Sequence, residues 1–261
     1  MMRFEDEPTM LTLGYELDIW NDYGLKVPIT IDISPSTNSH ILICGMSGSG
    51  KSYAGLGIFA KLVKLSNMAV SRNFHFADYK GEDAFNFMKS CPRYHSFKNT
   101  VEALDIVYSH LNVRLSGDED ALYPIPLFWD EYIANILALQ GDDKEKKPSE
   151  RIAPTIMNKV SEILLMGRSK SVRLVVMCQR PDAIAFPVGS RLNYGVVMVL
   201  GAAVRSIYEM LLPDHMAQVE GRQFGRGEGV VLLQGSELHF IKIPQYKDFE
   251  QVKQLCIQGL S

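Results

Sequence analysis

Apolar residues in this chain gather into short, nearly continuous runs separated by stretches of helical spacing. The runs are Ile41-Leu42-Ile43-Cys44, Phe74-His75-Phe76-Ala77, Pro126-Leu127-Phe128-Trp129, Val172 to Met177, and Gly195 to Leu200. Strands buried on both faces read this way, because neither face needs a polar residue. Between them, 52 to 66 sets Tyr53, Leu56, Phe59, Leu62 and Val63 at helical intervals. Further helices are predicted at 82 to 90, from Val101 to Leu115 with Thr100 as N-cap, and at 151 to 166. Strand alternating with helix predicts an α/β fold whose central, mainly parallel sheet is flanked by helices.

The first 38 residues differ. Leu11-Thr12-Leu13 and Val27-Pro28-Ile29-Thr30-Ile31 alternate around Asn21-Asp22-Tyr23-Gly24, which has turn chemistry, so 1 to 38 is expected to be a small β lead-in. Gly141 to Pro148 is charged and aperiodic, and 141 to 149 is expected as a mobile, solvated loop. The rest reads as one domain over 1 to 261.

Composition narrows the classes. With 46% hydrophobic residues the chain can bury a sizeable core, and a formal charge of -3 leaves no global basic field to attract nucleic acid. Four scattered cysteines without C-x-x-C spacing read as reduced core thiols of a cytoplasmic protein. The acidic start, Met1 to Glu7, lacks a signal-peptide profile, and no apolar run approaches the ~20 residues of a membrane span.

Candidate chemistry begins at Gly45-Met46-Ser47-Gly48-Ser49-Gly50-Lys51-Ser52, which follows an apolar strand and opens an amphipathic helix. In that context G-x-x-x-x-G-K-S wraps phosphates with backbone N–H groups and points a helix N-terminus at them. Lys51 is expected on the β and γ phosphates of ATP, Ser52 on Mg²⁺, and Tyr53 just beyond the loop. Downstream, Asp130 and Glu131 end an apolar strand, which suits Asp130 to bind Mg²⁺ through water and Glu131 to polarise an attacking water. An adjacent acid pair argues against a small-molecule kinase, which must keep water out. Gln179 ends another core strand and is a candidate sensor of the γ-phosphate.

Together these blocks resemble the motor domain of the FtsK/SpoIIIE DNA translocases, within the FtsK-HerA group and its RecA-like P-loop NTPase fold. The resemblance runs from about Leu11 to Phe249 through the phosphate loop, Asp78-Tyr79-Lys80-Gly81 (the family's D-P-K-G), Trp129-Asp130-Glu131, and Gly167-Arg168 to Gln179-Arg180-Pro181. Cys178 stands in place of the family's Thr, and Tyr79 in place of its Pro. The resemblance implies a homohexameric ring on double-stranded DNA, with an arginine of one subunit completing its neighbour's site. By motif position that arginine is Arg168, with Arg205 in reserve. The absence of a spanning N-terminus and of a DNA-reading module points to plasmid, phage or conjugative-element transfer.

Charge is segregated: between Arg151 and Arg180 there are six basic residues (Arg151, Lys159, Arg168, Lys170, Arg173, Arg180) and one acid, Glu162. Such a cluster suits DNA phosphates or the acidic face of a neighbouring subunit. The glycine- and arginine-rich segment Gly221 to Gly229 is expected as a turn before a strand at Val230 to Leu233, with DNA contact as the lesser reading. Two alternatives stay open: a coupling-type ATPase acting on single-stranded DNA or a DNA-protein adduct, and a nucleotide-regulated assembly module that binds a relaxase or membrane partner.

Overall fold

The computed structural model describes residues 9–35, 37–66, 73–121, 123–186 and 189–261; the acidic start lies outside them. Ten strands form one sheet: β1 (Met10–Glu16), β2 (Pro28–Asp32), β3 (Ile41–Cys44), β4 (His75–Asp78), β5 (Tyr94–Ser96), β6 (Ile125–Asp130), β7 (Val172–Cys178), β8 (Val196–Leu200), β9 (Glu228–Leu233) and β10 (Glu237–Lys242). Their spatial order is β2-β1-β10-β9-β8-β3-β7-β6-β4-β5. The six strands from β8 to β5 run parallel, while β9, β10, β1 and β2 are joined by antiparallel pairings.

Eight helices accompany the sheet among the described residues: α1 (Leu17–Tyr23), α2 (Lys51–Leu65), α3 (Thr100–Ser116), α4 (Tyr132–Asp142), α5 (Ala153–Met166), α6 (Arg205–Leu211), α7 (Met216–Val219) and α8 (Phe249–Leu260). Side chains alternate across the strands, so Leu42 and Cys44 join one core with α3, α4 and α5, and Ile41 and Ile43 join another with α2 and α8. The core strands are therefore apolar at nearly every position because they feed two cores. Among the described residues no helix is long and apolar enough to cross a membrane.

The expected N-terminal β lead-in is present as β1 and β2 and extends the main sheet: Tyr15 and Glu16 of β1 pair with Lys242 and Ile241 of β10. Several expectations change. The Asn21-Asp22-Tyr23-Gly24 turn is the end of α1, with Gly24 as its left-handed cap. The helix expected at 82 to 90 is a 3-10 turn, Asp83–Met88. Thr100 begins α3 instead of capping it, and its hydroxyl lies 2.7 Å from both the Phe97 carbonyl and Asn135 Oδ1.

The segment 141–149 is also corrected. It holds the end of α4 and a 3-10 turn, and Asp143 is buried, with Oδ2 accepting from Ile152 N and Ala153 N at 2.7 Å each. A cap on α5 that the charge pattern hides thus ties the segment down. Arg173 leaves the basic cluster as well: it is buried and donates to the carbonyls of Arg168, Ile33 and Ser34.

Two buried histidines make the fold acid-sensitive. His40 Nδ1 accepts the Leu174 N–H at 3.0 Å, and burial followed by the nearby Arg173 charge lowers its pKa from 6.5 to about 3. His75 falls from 6.5 to about 3 through burial and then the neighbouring His95 and Arg93. Both are neutral when folded and take up a proton on unfolding, so their contribution is intact above pH 6.5 and declines as pH falls toward 3. Each steepens the acid loss by roughly 1.4 kcal/mol per pH unit. Urea unfolding between pH 6 and 4.5 should show His75→Phe with a slope shallower by about that amount; equal slopes would mean His75 is already protonated in the fold.

Candidate nucleotide site

The phosphate loop is positioned by strand register. Cys44 of β3 lies level with Cys178 of β7, Met177 with Asp130 of β6, and Asp130 with Asp78 of β4. The loop, Gln179, Glu131 and the Asp78 turn therefore leave the sheet along one edge. Gly45 has no room for a side chain, since a Cβ would lie 2.5 Å from both the Leu200 carbonyl and Ser49 Oγ. Gly50 adopts φ +101° and abuts Gly227, which favours glycine at this position.

The loop opens onto a cleft of about 290 Å³ lined by Ser47 to Tyr53, and also by Glu82, Glu131, Gln179, Arg226 and Phe249. Gly45 is buried and Met46 exposed, and neither lines the cleft. Lys51 is buried at the start of α2. Tyr53 stacks on Phe249, with ring centroids 5.0 Å apart, and its hydroxyl accepts the Tyr246 N–H at 2.7 Å.

Opposite the loop, carboxylate oxygens of Glu82, Asp130 and Glu131 lie within 4.8 Å of one another. Both oxygens of Asp130 are buried without a described hydrogen-bond partner. Burial raises the Asp130 pKa well above the carboxylate range, reinforced by the charges of Glu131, Glu82 and Asp78 and opposed by Lys51. Unsatisfied, hard oxygen ligands of this kind fit Mg²⁺, with Ser52 on the facing loop.

Glu131 is in the left-handed region, φ 54° and ψ 39°, where a non-glycine residue carries strain. That backbone turn ends β6 and starts α4, and two side chains fix the carboxylate. Lys80 Nζ lies 3.2 Å from one oxygen, and Gln179 Nε2 donates to the other at 3.3 Å. Lys80 is itself placed by Asp78, which accepts from Gly81 N at 2.8 Å and from the Tyr94 hydroxyl at 2.5 Å.

Thus Lys51, Ser52, Glu131 and Gln179 line one cleft, with Asp130 buried beside Glu131. Arg168 does not join them. It is exposed on the 3-10 turn that precedes β7, whereas the phosphate loop follows the parallel β3, so the two lie at opposite edges of the sheet. Arg205 lies at the loop's edge, on α6 after β8, and pairs with Glu209 and Glu220. Sequence reasoning left Lys80, Glu82, Arg226 and Phe249 without roles. Lys80 had a local signal in the Asp78 to Gly81 block, and Arg226 lay in the glycine- and arginine-rich segment Gly221 to Gly229.

A mainly parallel sheet whose central strand runs into a phosphate loop and a helix has the fold of P-loop ATPases. No family model matches the chain. Over 225 residues, 80% of the chain, it is 28% identical to the FtsK domain-containing protein YdcQ of Bacillus subtilis (strain 168), and it spans 44% of that protein's length. Among solved structures it is similar to the pCW3 conjugation coupling protein TcpA, in its monomer form with ATPγS, at 18% identity and TM-score 0.68 over 96% of this chain and 70% of that one. It is also similar to the cytoplasmic domain of the Thermomonospora curvata type VII secretion ATPase EccC, at 17% identity and TM-score 0.65 over 97% of this chain and 31% of that one. The comparisons bear out the resemblance to the FtsK/SpoIIIE motor domain.

Three crowded carboxylates with an orphaned buried pair of oxygens cost stability in the ligand-free chain. Asp130→Asn should therefore raise its urea-unfolding free energy by about 1 kcal/mol in the presence of a chelator. A variant less stable than the wild type would show that Asp130 is already well paired.

Proposed function

We propose that the chain binds ATP·Mg²⁺ at the phosphate loop, hydrolyses it, and uses the energy to move DNA. One observation carries the hydrolytic part: Glu131, in a strained backbone turn, is held between Lys80 and Gln179 at the mouth of the cleft. A switch that only binds nucleotide has no use for a strained and doubly oriented carboxylate.

Gly50, Lys51 and the N-terminus of α2 hold the phosphates. Ser52, Asp130 and Glu82 would supply oxygen ligands to Mg²⁺, which when bound would offset negative charge on the nucleotide phosphates. Glu131 accepts a proton from the attacking water, and Gln179 and Lys80 keep its carboxylate in place. Gln179 links that carboxylate to the end of β7, so the presence of a γ-phosphate can be passed along β7. Arg168, remote from its own cleft, is assigned to the neighbouring subunit's site in a homohexamer.

The DNA assignment rests on the FtsK-type resemblance, because structure thins the basic cluster. Arg173 is buried, Lys159 pairs with Asp105 and Arg180 with Asp182. Double-stranded DNA is the leading substrate. The fold shared with a conjugation coupling protein supports, as the second reading, a coupling-type ATPase acting on single-stranded DNA or a DNA-protein adduct.

The test is the ATPase rate with no DNA, with duplex and with single strands, alongside the mass in solution with ATP. Duplex stimulation and a hexamer-sized species support the proposal, while single-strand preference supports the second reading. Stimulation by neither would sink the motor. Lys51→Ala should lose ATP binding, and Glu131→Gln should bind ATP but turn over about 10²-fold or more slowly. Arg168→Ala should lose about 10³-fold or more in turnover with binding intact. Normal turnover in Glu131→Gln would refute its role as base.

A further inference from the structure

The cleft has two ends, and only one is used by the chemistry above. Counting from β3 along the sheet, β7 and β6 lie on one side and carry Gln179 and Glu131; β8 and β9 lie on the other. The second side is closed by the Gly225–Gly229 segment, which leads into β9. The sequence pattern makes it a plain turn, but it packs directly on the phosphate loop. Gly227 N donates to the Ser49 carbonyl at 2.8 Å, and a Cβ on Gly50 would meet Gly227 N at 3.2 Å and Arg226 Cγ at 3.9 Å.

The segment is held firmly. Ile243 N donates to the Gly227 carbonyl at 2.7 Å, Gly201 N to the Glu228 carbonyl at 2.7 Å, and Gly225 N to Glu228 Oε2 at 3.1 Å. Glu228 is in turn paired with Lys242 at 3.0 Å. Arg226 projects from this scaffold into the cleft, with no hydrogen-bond or ion-pair partner among the described residues. Among the described residues, Lys51 and Arg226 are the cations that line the cleft.

We propose that Arg226 is a nucleotide-binding residue that holds the α- and β-phosphates, at the end of the cleft opposite Glu131. The inference rests on the ATP-site reading above and adds a contact to it. With Glu131 and its neighbours fixing the γ end, a polyphosphate lying along the loop from Lys51 runs toward Arg226. The Tyr53–Phe249 stack lines the same cleft, in α2 and in the helix that follows β10. A guanidinium on a rigid backbone, free of internal partners, suits bidentate contact with phosphate oxygens. It would also tie β9 and β10, and through them β1, to nucleotide occupancy.

Calorimetric titration with ADP and with ATPγS, both with Mg²⁺, tests this in wild type, Arg226→Gln, Arg226→Lys and Lys51→Ala. Arg226→Gln should weaken both nucleotides by about tenfold, leaving their affinity ratio unchanged. Arg226→Lys should recover part of the loss, and the nucleotide-free melting temperature should not move in either variant. Loss confined to ATPγS would place Arg226 at the γ end and overturn the assignment. Unchanged affinity in Arg226→Gln, with binding abolished in Lys51→Ala, would overturn it while leaving the ATP site standing. If Lys51→Ala bound normally, the ATP-site reading would fall and this contact with it.

Discussion

Parallel pairing of β4, β6, β7 and β3 sets the level at which each strand ends, and the rest of the site depends on it. Asp78 stands beside Asp130, Asp130 beside Met177, and Cys178 beside Cys44. Each strand therefore releases its polar residue at one edge of an otherwise apolar sheet. A shift of one residue in β6 would turn Trp129 out of its core and Asp130 away from the edge, which the two buried faces forbid. The apolar packing that stabilises the sheet is the same constraint that aims the carboxylates.

That arrangement stores cost in one place. Asp130 is buried without a described partner, Glu131 sits in a left-handed turn, and Glu82 brings a third carboxylate within 4.8 Å. Of the groups that act on the Asp130 pKa, Lys51 alone opposes the rise. Lys80 and Gln179 offset part of the charge on Glu131. A ligand carrying both positive and negative charge, such as a metal nucleotide, relieves the carboxylates and the phosphate-loop donors together. Mass action then makes the filled site a source of stability, although the empty one is a liability.

The core strands and the phosphate loop were legible in the sequence because their signals are local. A strand buried on both faces is apolar throughout, and the loop pattern sits between strand and helix. What escaped was decided by distant partners. β10, Glu237–Lys242, is half-exposed, and its place is set by β9 on one side and by β1 on the other. Asn21-Asp22-Tyr23-Gly24 has turn composition, yet Gly24 serves as a helix cap. Asp143 looked like one more charge in a polar stretch until its carboxylate was found capping α5. Arg173 looked like part of a basic face until three carbonyls claimed it. Burial of a charged residue leaves no mark on its neighbours in the chain.

The antiparallel half of the sheet is then more than an extension. β8 leads into Gly201, which donates to the Glu228 carbonyl, and β10 leads into Ile243, which donates to Gly227. Gly227 in turn holds Ser49 of the phosphate loop. The loop is thus clamped from its own strand β3 and from the β9–β10 hairpin, whose far edge pairs with β1. β1 is connected to Ser49 through backbone hydrogen bonds alone, by way of β10 and Gly227. Glu131, by contrast, is bound through Gln179 and Lys80 to segments that leave the parallel strands β7 and β4. One cleft is thus bordered by the β9–β10 hairpin at Gly227 and by the parallel strands at Glu131 and Gln179.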